Sequence, residues 1–126
     1  MERMRRILIV DDERDFCDFV KIALEAADHF EVSVCSNSVE AVEQVRKLRP
    51  DLILLDIMMP GVGGSQIADE LRNNSDTQDI PFVFLTALVT EEETKRNQSV
   101  IGGRYFISKP VEMKRLVFLI NRLLDS

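Results

Sequence analysis

The stretch Asp51-Leu52-Ile53-Leu54-Leu55-Asp56-Ile57-Met58-Met59-Pro60-Gly61 decides how the rest of the chain is interpreted. Its apolar run, 52–55, has no polar alternation, which is typical of a strand covered on both faces, as in a parallel sheet flanked by helices. Pro60 and Gly61 then end any regular element. The strand therefore brings the carboxylate of Asp56 to its C-terminal end, where open α/β sheets place their ligands. An isolated Asp at a strand end, however, more often caps the loop that follows.

The composition is that of a soluble globular domain with an acidic balance. At 126 residues the chain is long enough for a single core, and we expect residues 1–126 to form one domain without an output domain. The net charge of −6 argues against direct binding of nucleic acid or an anionic membrane. No apolar run approaches the roughly 18 residues of a membrane span, and the basic N-terminus is not a signal peptide. Cys17 and Cys35 lack metal-ligand spacing and are expected to be reduced core thiols in a cytoplasmic protein.

The apolar pattern predicts five strand–helix units. The predicted strands cover residues 7–10, 30–35, 52–56, 81–85 and 104–107. Helical periodicity predicts helices over 14–27, from the capping pair Asn37 and Glu40 to Pro50, and over 65–73 and 112–124. Residues 90–100 are charged and only faintly amphipathic, without a strong apolar stripe, and we also assign them to a helix. The expected core stripe of the first helix comprises Phe16, Phe19, Val20, Ala23, Leu24 and Ala27. Because crossovers between parallel strands are right-handed, helices must cover both faces of the sheet. The fold class is therefore α/β, with a doubly wound five-stranded parallel sheet.

Polar side chains follow four of these strands. They are Asp11-Asp12, Asp56, Thr86 and Lys109. Three carboxylates crowded at one sheet edge would repel each other, and a hard divalent cation such as Mg²⁺ resolves that conflict. A lysine and a hydroxyl beside such a metal form a binding place for a tetrahedral anion. The set is suited to phosphoryl transfer, in which the central carboxylate, Asp56, attacks phosphorus itself.

Each of these residues also has a structural interpretation. Asp11 and Asp12 could cap the first helix, Thr86 could be a solvated turn residue, and Lys109 could be a surface charge. His29 is expected to be an exposed loop residue, and we assign it no role. For the site to have no function, all of these structural interpretations would have to be correct at once, at four strand ends of one sheet. That is a stronger requirement than any one of them alone, and we therefore favour a functional site.

These motifs resemble those of the receiver domain of two-component response regulators. The resemblance rests on Asp11-Asp12 after the first strand, Asp56 followed by Met59-Pro60-Gly61, Thr86-Ala87 and Lys109-Pro110, and it covers essentially the whole chain. It implies a flavodoxin-like fold with strand order 2-1-3-4-5. It also implies that Asp56 becomes a 4-aspartylphosphate by taking a phosphoryl group from a phosphohistidine. The donor would be a sensor histidine kinase or a histidine phosphotransfer protein, so that the chain acts in a phosphorelay.

The resemblance also assigns the Mg²⁺ ligands. Asp12 would bind the metal directly and Asp11 largely through water, with Asp56 and the main-chain carbonyl of Met58 as further ligands. Lys109 would pair with Asp56 and then with the phosphoryl group. The bond between Lys109 and Pro110 is expected to be cis, a minority state that a fold must enforce.

The resemblance further predicts a conformational switch. Thr86 would hydrogen-bond a phosphoryl oxygen, and Phe106, which stands where many receivers have tyrosine, would turn inward. Tyr105 should point to the other side of its strand, because side chains alternate. The face formed by the fourth helix, fifth strand and fifth helix would then change and control a partner, an output domain or a homodimer. Its candidate residues are Thr90 to Val100, Arg104, Tyr105 and Leu116 to Leu124.

Two apolar side chains are expected at the rim of the pocket. Met58 and Leu88 stand two residues after Asp56 and Thr86, at positions where many receivers have a polar group that places the hydrolytic water. We therefore hypothesise a long-lived aspartyl phosphate.

Two other functions remain as alternatives. One is a receiver-like interaction module that works without phosphorylation. The other is a Mg²⁺-dependent phosphohydrolase of the haloacid dehalogenase type, which carries a second Asp two residues after its nucleophile, where this chain has Met58. In the favoured interpretation the chain is not an enzyme beyond Mg²⁺-dependent self-phosphorylation and self-dephosphorylation at Asp56.

Overall fold

The structure, a computed structural model, describes residues 4–27, 30–88, 92, 100–101 and 104–125. His29 lies outside these residues. The strands are β1 (Arg5–Val10), β2 (Phe30–Cys35), β3 (Leu52–Asp56), β4 (Phe82–Thr86), β5 (Val100–Ile101) and β6 (Arg104–Ser108). The helices are α1 (Arg14–Ala27), a 3-10 turn (Ser38–Glu40) that leads into α2 (Ala41–Leu48), α3 (Gly64–Arg72) and the C-terminal helix α4 (Met113–Leu124). None of the helices in these residues is long and apolar enough to cross a membrane.

The strands form one sheet in the order β2-β1-β3-β4-β6-β5. The pairings among β2, β1, β3, β4 and β6 are all parallel, whereas β5 pairs antiparallel with β6. The predicted parallel sheet with order 2-1-3-4-5 is thus confirmed, with β6 as its fifth strand. The short β5 was not predicted and extends the edge beside β6.

Val100 corrects one predicted boundary. It was assigned to the end of the helix 90–100, but it lies in β5, opposite Tyr105. Consecutive β-branched residues, Val100 and Ile101, favour a strand. The rest of that predicted helix lies outside the described residues, apart from Glu92, which is helical and exposed.

Two hydrophobic clusters cover the two faces of the sheet. One contains the buried residues of α1 and α4, and the other contains those of α2 and α3. Every residue of β3 and β4 is buried, as the unbroken apolar run 52–55 predicts. Cys17 and Cys35 are both free and buried, which confirms that they are core thiols.

The buried face of α1 includes only part of the predicted stripe. Val20 and Leu24 are buried as predicted, and Cys17 is buried with them, whereas Phe19 is 58% exposed and Ala27 is also exposed. Phe19 lies about 100° around the helix from Val20, which removes it from a stripe centred on residues 17, 20 and 24. The predicted stripe is wider than the face that packs against the sheet.

The C-terminal helix α4 contributes both to the core and to the surface. Leu116, Leu119 and Ile120 are buried against the sheet. They cannot form part of the signalling face for which the whole range 116–124 was predicted, because the same stripe supplies the helix's packing. Phe118 is exposed on this helix.

Candidate functional site

The C-terminal ends of four parallel strands meet at one edge of the sheet. The pairings there are Val10 with Leu55, Asp56 with Leu85, and Thr86 with Ser108. This register brings the polar residues that follow these strands together, as the sequence predicts. Asp56, Thr86 and Lys109 line a cavity of about 150 Å³, together with Glu13, Met58, Ala87 and Leu88.

Asp56 lies at the floor of this cavity with 6% of its surface exposed. Its Oδ1 accepts a hydrogen bond from the backbone N–H of Met58 at 3.3 Å, and its Oδ2 lies 3.5 Å from Nζ of Lys109. Burial raises the pKa of Asp56, as does the nearby charge of Asp11, whereas Lys109 and the Met58 N–H act to lower it. The carboxylate therefore lies in the lining of the cavity, with the ammonium of Lys109 beside it.

Lys109 is bound to the acids of the site. Its Nζ donates to Oδ2 of Asp11 at 2.7 Å and to Oε1 of Glu13 at 3.0 Å, and it lies 4.4 Å from the centroid of the Phe16 ring. Burial opposes the charged form, but the hydrogen bonds to Asp11 and Glu13 and the charges of Asp11 and Asp56 outweigh it and raise the pKa of Lys109 to about 12. The interpretation of Lys109 as a surface charge is wrong. The roles of Glu13 and Phe16 were not predicted, although Glu13 continues the acidic run of Asp11 and Asp12.

Asp11, Asp12 and Asp56 form a candidate metal site. One carboxylate oxygen from each lies within 4.8 Å of the others. Asp11 is fully buried, and its Oδ1 accepts a hydrogen bond from the backbone N–H of Glu13 at 2.9 Å, so that it also stabilises the entry to α1. Within the described part of the chain, Lys109 pairs with Asp11, Glu13 and Asp56, and these acids together with Asp12 outnumber its single positive charge. Carboxylates at this spacing fit a hard divalent cation.

Thr86 is buried at the end of β4 and is not a solvated turn residue. Its Oγ1 accepts a hydrogen bond from the backbone N–H of Leu88 at 3.0 Å. Its carbonyl accepts from the backbone N–H of Lys109 at 2.9 Å, which ties the end of β4 to the end of β6. Among the residues that the structure describes, the Thr86 hydroxyl donates no hydrogen bond, so its proton can be offered to a ligand in the cavity.

The side chains of β6 alternate between the two faces of the sheet. Tyr105 packs against the cluster of α1 and α4, and Phe106 packs against the cluster of α2 and α3, as predicted. The Phe106 ring lies 5.2 Å from that of Phe84. Arg104 pairs with Asp69 of α3 at 2.9 Å. Phe106 is half-buried, on the same face of the sheet as α3.

The loop after β3 is held by a residue that sequence reasoning missed. Ser38 is buried, and its hydroxyl donates to the carbonyl of Pro60 at 2.8 Å and accepts from the backbone N–H of Val62 at 3.0 Å. Gly61 between them has a φ of 86°, which L side chains rarely adopt. A Cβ at Gly64 would collide with the main chain that follows Asp56. No local pattern marks Ser38, because its partners are distant in sequence.

The rim of the cavity is apolar, as expected. Met58 is 65% exposed and Leu88 is 63% exposed, and both line the cavity. The peptide bond between Lys109 and Pro110 is cis, which confirms the prediction.

Comparison with known proteins gives consistent matches over nearly the whole chain. The response regulator receiver domain family matches residues 7–121. The phosphate regulon transcriptional regulatory protein PhoB of Pseudomonas aeruginosa is 37% identical over 120 residues, which cover 95% of this chain and 52% of that protein. The DNA-binding response regulator MtrA of Mycobacterium tuberculosis is 36% identical over 118 residues, covering 93% of this chain and 50% of that protein. The chain thus spans about half the length of these relatives.

Solved structures agree with this assignment. A response regulator from Desulfuromonas acetoxidans superimposes with a TM-score of 0.78 at 31% identity, covering 96% of this chain and 97% of that one. The Vibrio cholerae chemotaxis protein CheY4 gives a TM-score of 0.80 at 27% identity and covers 97% and 100% of the two chains. Sequence motifs, sheet order and these matches lead to one conclusion: the chain belongs to the receiver domain family of response regulators in two-component signalling.

Proposed function

We propose that this chain is a phosphoacceptor switch, in which Asp56 takes a phosphoryl group from a phosphohistidine on a sensor histidine kinase or a histidine phosphotransfer protein. The observation that carries this proposal is the position of Asp56 at the floor of the 150 Å³ cavity, with the ammonium of Lys109 at 3.5 Å. A phosphoryl group in this cavity would meet both Lys109 and the hydroxyl of Thr86, which also line it.

The proposed reaction is a displacement at phosphorus. A carboxylate oxygen of Asp56 attacks phosphorus as the bond from phosphorus to the imidazole nitrogen breaks, and the electron pair of that bond stays on the imidazole. Lys109 compensates negative charge on the phosphoryl oxygens, and the hydroxyl of Thr86 donates a hydrogen bond to one of them. Because such reactions depend mainly on positioning and charge compensation, no other nucleophile or general base is needed.

Asp12, Asp11, Asp56 and the main-chain carbonyl of Met58 would hold Mg²⁺. When bound, Mg²⁺ would offset the excess of carboxylates and the charge of the phosphoryl oxygens. The carboxylate spacing within 4.8 Å supports this assignment.

The proposed output is a change at the surface near β6. When Thr86 moves toward a phosphoryl group, it vacates space that Phe106 fills by turning inward, and the face beside Arg104 and Tyr105 changes. PhoB and MtrA are named as transcriptional and DNA-binding regulators. We accordingly propose that this face controls a partner, a homodimer or an output domain, in the cytoplasm. The chain would have no enzymatic activity beyond self-phosphorylation and self-dephosphorylation at Asp56.

The structure supports the two alternative functions less well than the phosphoacceptor switch. A phosphohydrolase of the haloacid dehalogenase type needs a proton donor two residues after the nucleophile, and the thioether of Met58 cannot transfer a proton. A module that works without phosphorylation would not need the contacts of Lys109 with Asp11 and Asp56, at 2.7 and 3.5 Å.

Intact mass after incubation with acetyl phosphate and Mg²⁺ tests the proposal. One added phosphoryl group is expected, and its loss in Asp56→Asn and in a sample with EDTA would identify both the acceptor and the metal requirement. No mass gain in the wild-type protein, together with unchanged amide signals of Thr86 and Phe106 on addition of beryllofluoride, would contradict the proposal and favour the interaction module.

A further inference from the structure

Phe16 has no part in the chemistry described so far, yet its ring lies against the ammonium of Lys109. The centroid of the ring is 4.4 Å from Nζ, well inside the roughly 6 Å over which an aromatic face attracts a cation. The ring itself is partly buried against the cluster that contains α1 and α4. The aromatic face is therefore a fixed wall on one side of the ammonium.

The carboxylates around this ammonium are not equally fixed. Asp11, at 2.7 Å from Nζ, is fully buried. Glu13, at 3.0 Å, has a side chain that is 64% exposed, so packing does not fix its position. Asp56, the proposed acceptor, is the most distant of the three, at 3.5 Å. The hydrogen bonds to Asp11 and Glu13 hold the ammonium beside these two acids, and neither bond sets its distance from Asp56.

We propose that Phe16 is a positioning residue for Lys109. The aromatic face of Phe16 holds the Lys109 ammonium at the wall of the cavity beside Asp56. The consequence for phosphoryl transfer rests on the proposed function, whereas the position of the ammonium does not. If Phe16 merely fills space in the core, any apolar side chain of similar volume could replace it without moving the ammonium. The aromatic face is needed only if the ring attracts the charge.

Three variants of the full chain separate these two roles. Phe16→Leu keeps an apolar side chain and removes the ring, and Phe16→Tyr keeps the aromatic face. Phe19→Leu is the matched control, because it removes a ring from the same helix at a position that is 58% exposed. Phe16→Met is a second ring-free variant in case the leucine does not fold.

The position of the Lys109 side chain is read from the NMR signals of its ε-methylene group, assigned with Lys109→Arg. We follow the nuclear Overhauser contacts of this group with the methyl groups of Thr86 and Leu88, which line the same cavity. These contacts are expected to weaken in Phe16→Leu and Phe16→Met and to keep their wild-type strength in Phe16→Tyr and Phe19→Leu. Unchanged contacts in the ring-free variants would overturn the proposal.

The functional consequence is read from the rate of phosphorylation by acetyl phosphate. Loss of a cation–π contact in a partly desolvated site should slow the reaction by about twofold to thirtyfold. Phe16→Tyr should stay near the wild-type rate. Equal rates in all variants, or equal losses in Phe16→Leu and Phe19→Leu, would refute the positioning role. An inert wild-type protein would instead refute the proposed function, and the Lys109 signals would still decide where the ammonium lies.

Discussion

Lys109 offers a direct test of the electrostatics of this site, because its ammonium pairs with the buried carboxylates of Asp11 and Asp56. The Lys109 side chain is 13% exposed, and that of Asp11 is 0% exposed. Lys109→Met keeps an unbranched side chain and removes the charge. The substitution would leave the carboxylate of Asp11 buried without its cation, and Asp56 would lose its nearby positive charge.

The expected loss of stability follows from that burial. Removing one partner of a buried ion pair costs about 3–5 kcal/mol, because the remaining charge is uncompensated. The pair with Glu13 adds little, because exposed ion pairs contribute less than about 1 kcal/mol. We expect the free energy of unfolding to fall by about 3 kcal/mol, which lowers Tm by roughly 10 °C for a domain of this size.

Urea denaturation in metal-free buffer measures this loss, and its pH dependence tests the cause. Lys109 lowers the pKa of Asp56, so its removal raises that pKa further. A carboxyl group whose pKa is higher in the folded state contributes stability that is present below its unfolded pKa and is lost as the pH rises through its folded pKa. The difference between the wild-type protein and Lys109→Met should therefore narrow as the pH is lowered.

Lys114→Met is the control, since Lys114 is exposed on α4. A loss in Lys109→Met no larger than that in Lys114→Met would refute the reasoning. So would a difference between wild type and Lys109→Met that stays constant with pH.

Three further predictions concern the core, the loop and the rim of the cavity. Ser38→Ala should lower the free energy of unfolding by about 1–3 kcal/mol in urea denaturation, because two partly buried hydrogen bonds to the loop after β3 are lost, whereas Ser65→Ala, at an exposed position, should change it little. Burial raises the pKa of Cys17 to about 12 and also raises that of Cys35, so both thiols should react slowly with iodoacetamide at pH 8 in the native state but rapidly in guanidinium; rapid native reaction would contradict their burial. Met58→Asn should shorten the lifetime of the aspartyl phosphate, followed by intact mass, because an amide at the rim can place water; an unchanged lifetime would argue against the effect of the apolar rim.

Much of the fold could be predicted because its signals are local. The apolar run 52–55 predicts a strand buried on both faces, and β3 is buried throughout. The bounds predicted for α1, 14–27, agree with those observed. Val100 was assigned to a helix together with the faintly amphipathic segment 90–100, whereas cross-strand pairing with Tyr105 decides its conformation.

The positions of Asp11, Asp56, Thr86 and Lys109 after their strands also predicted that these residues are neighbours. Parallel strands end at a common edge of the sheet, so a residue's position after its strand is enough to predict that these residues are neighbours. Their separation in sequence does not matter to this argument. Family membership is consistent with it.

The sequence by itself determined the chain order of the five parallel strands and of the helices α1 to α4, the covering of both faces and the set of polar residues at the sheet edge, because each depends on periodicity or on position relative to a strand end. Only the tertiary structure decided where the buried stripe of α1 is centred, and hence that Phe19 is exposed while Phe16 meets Lys109. It also decided that Ser38 holds the loop after β3. These contacts join residues that are distant in sequence, and the local sequence around each residue does not specify its partner. Packing selects one of several arrangements that the local sequence allows equally.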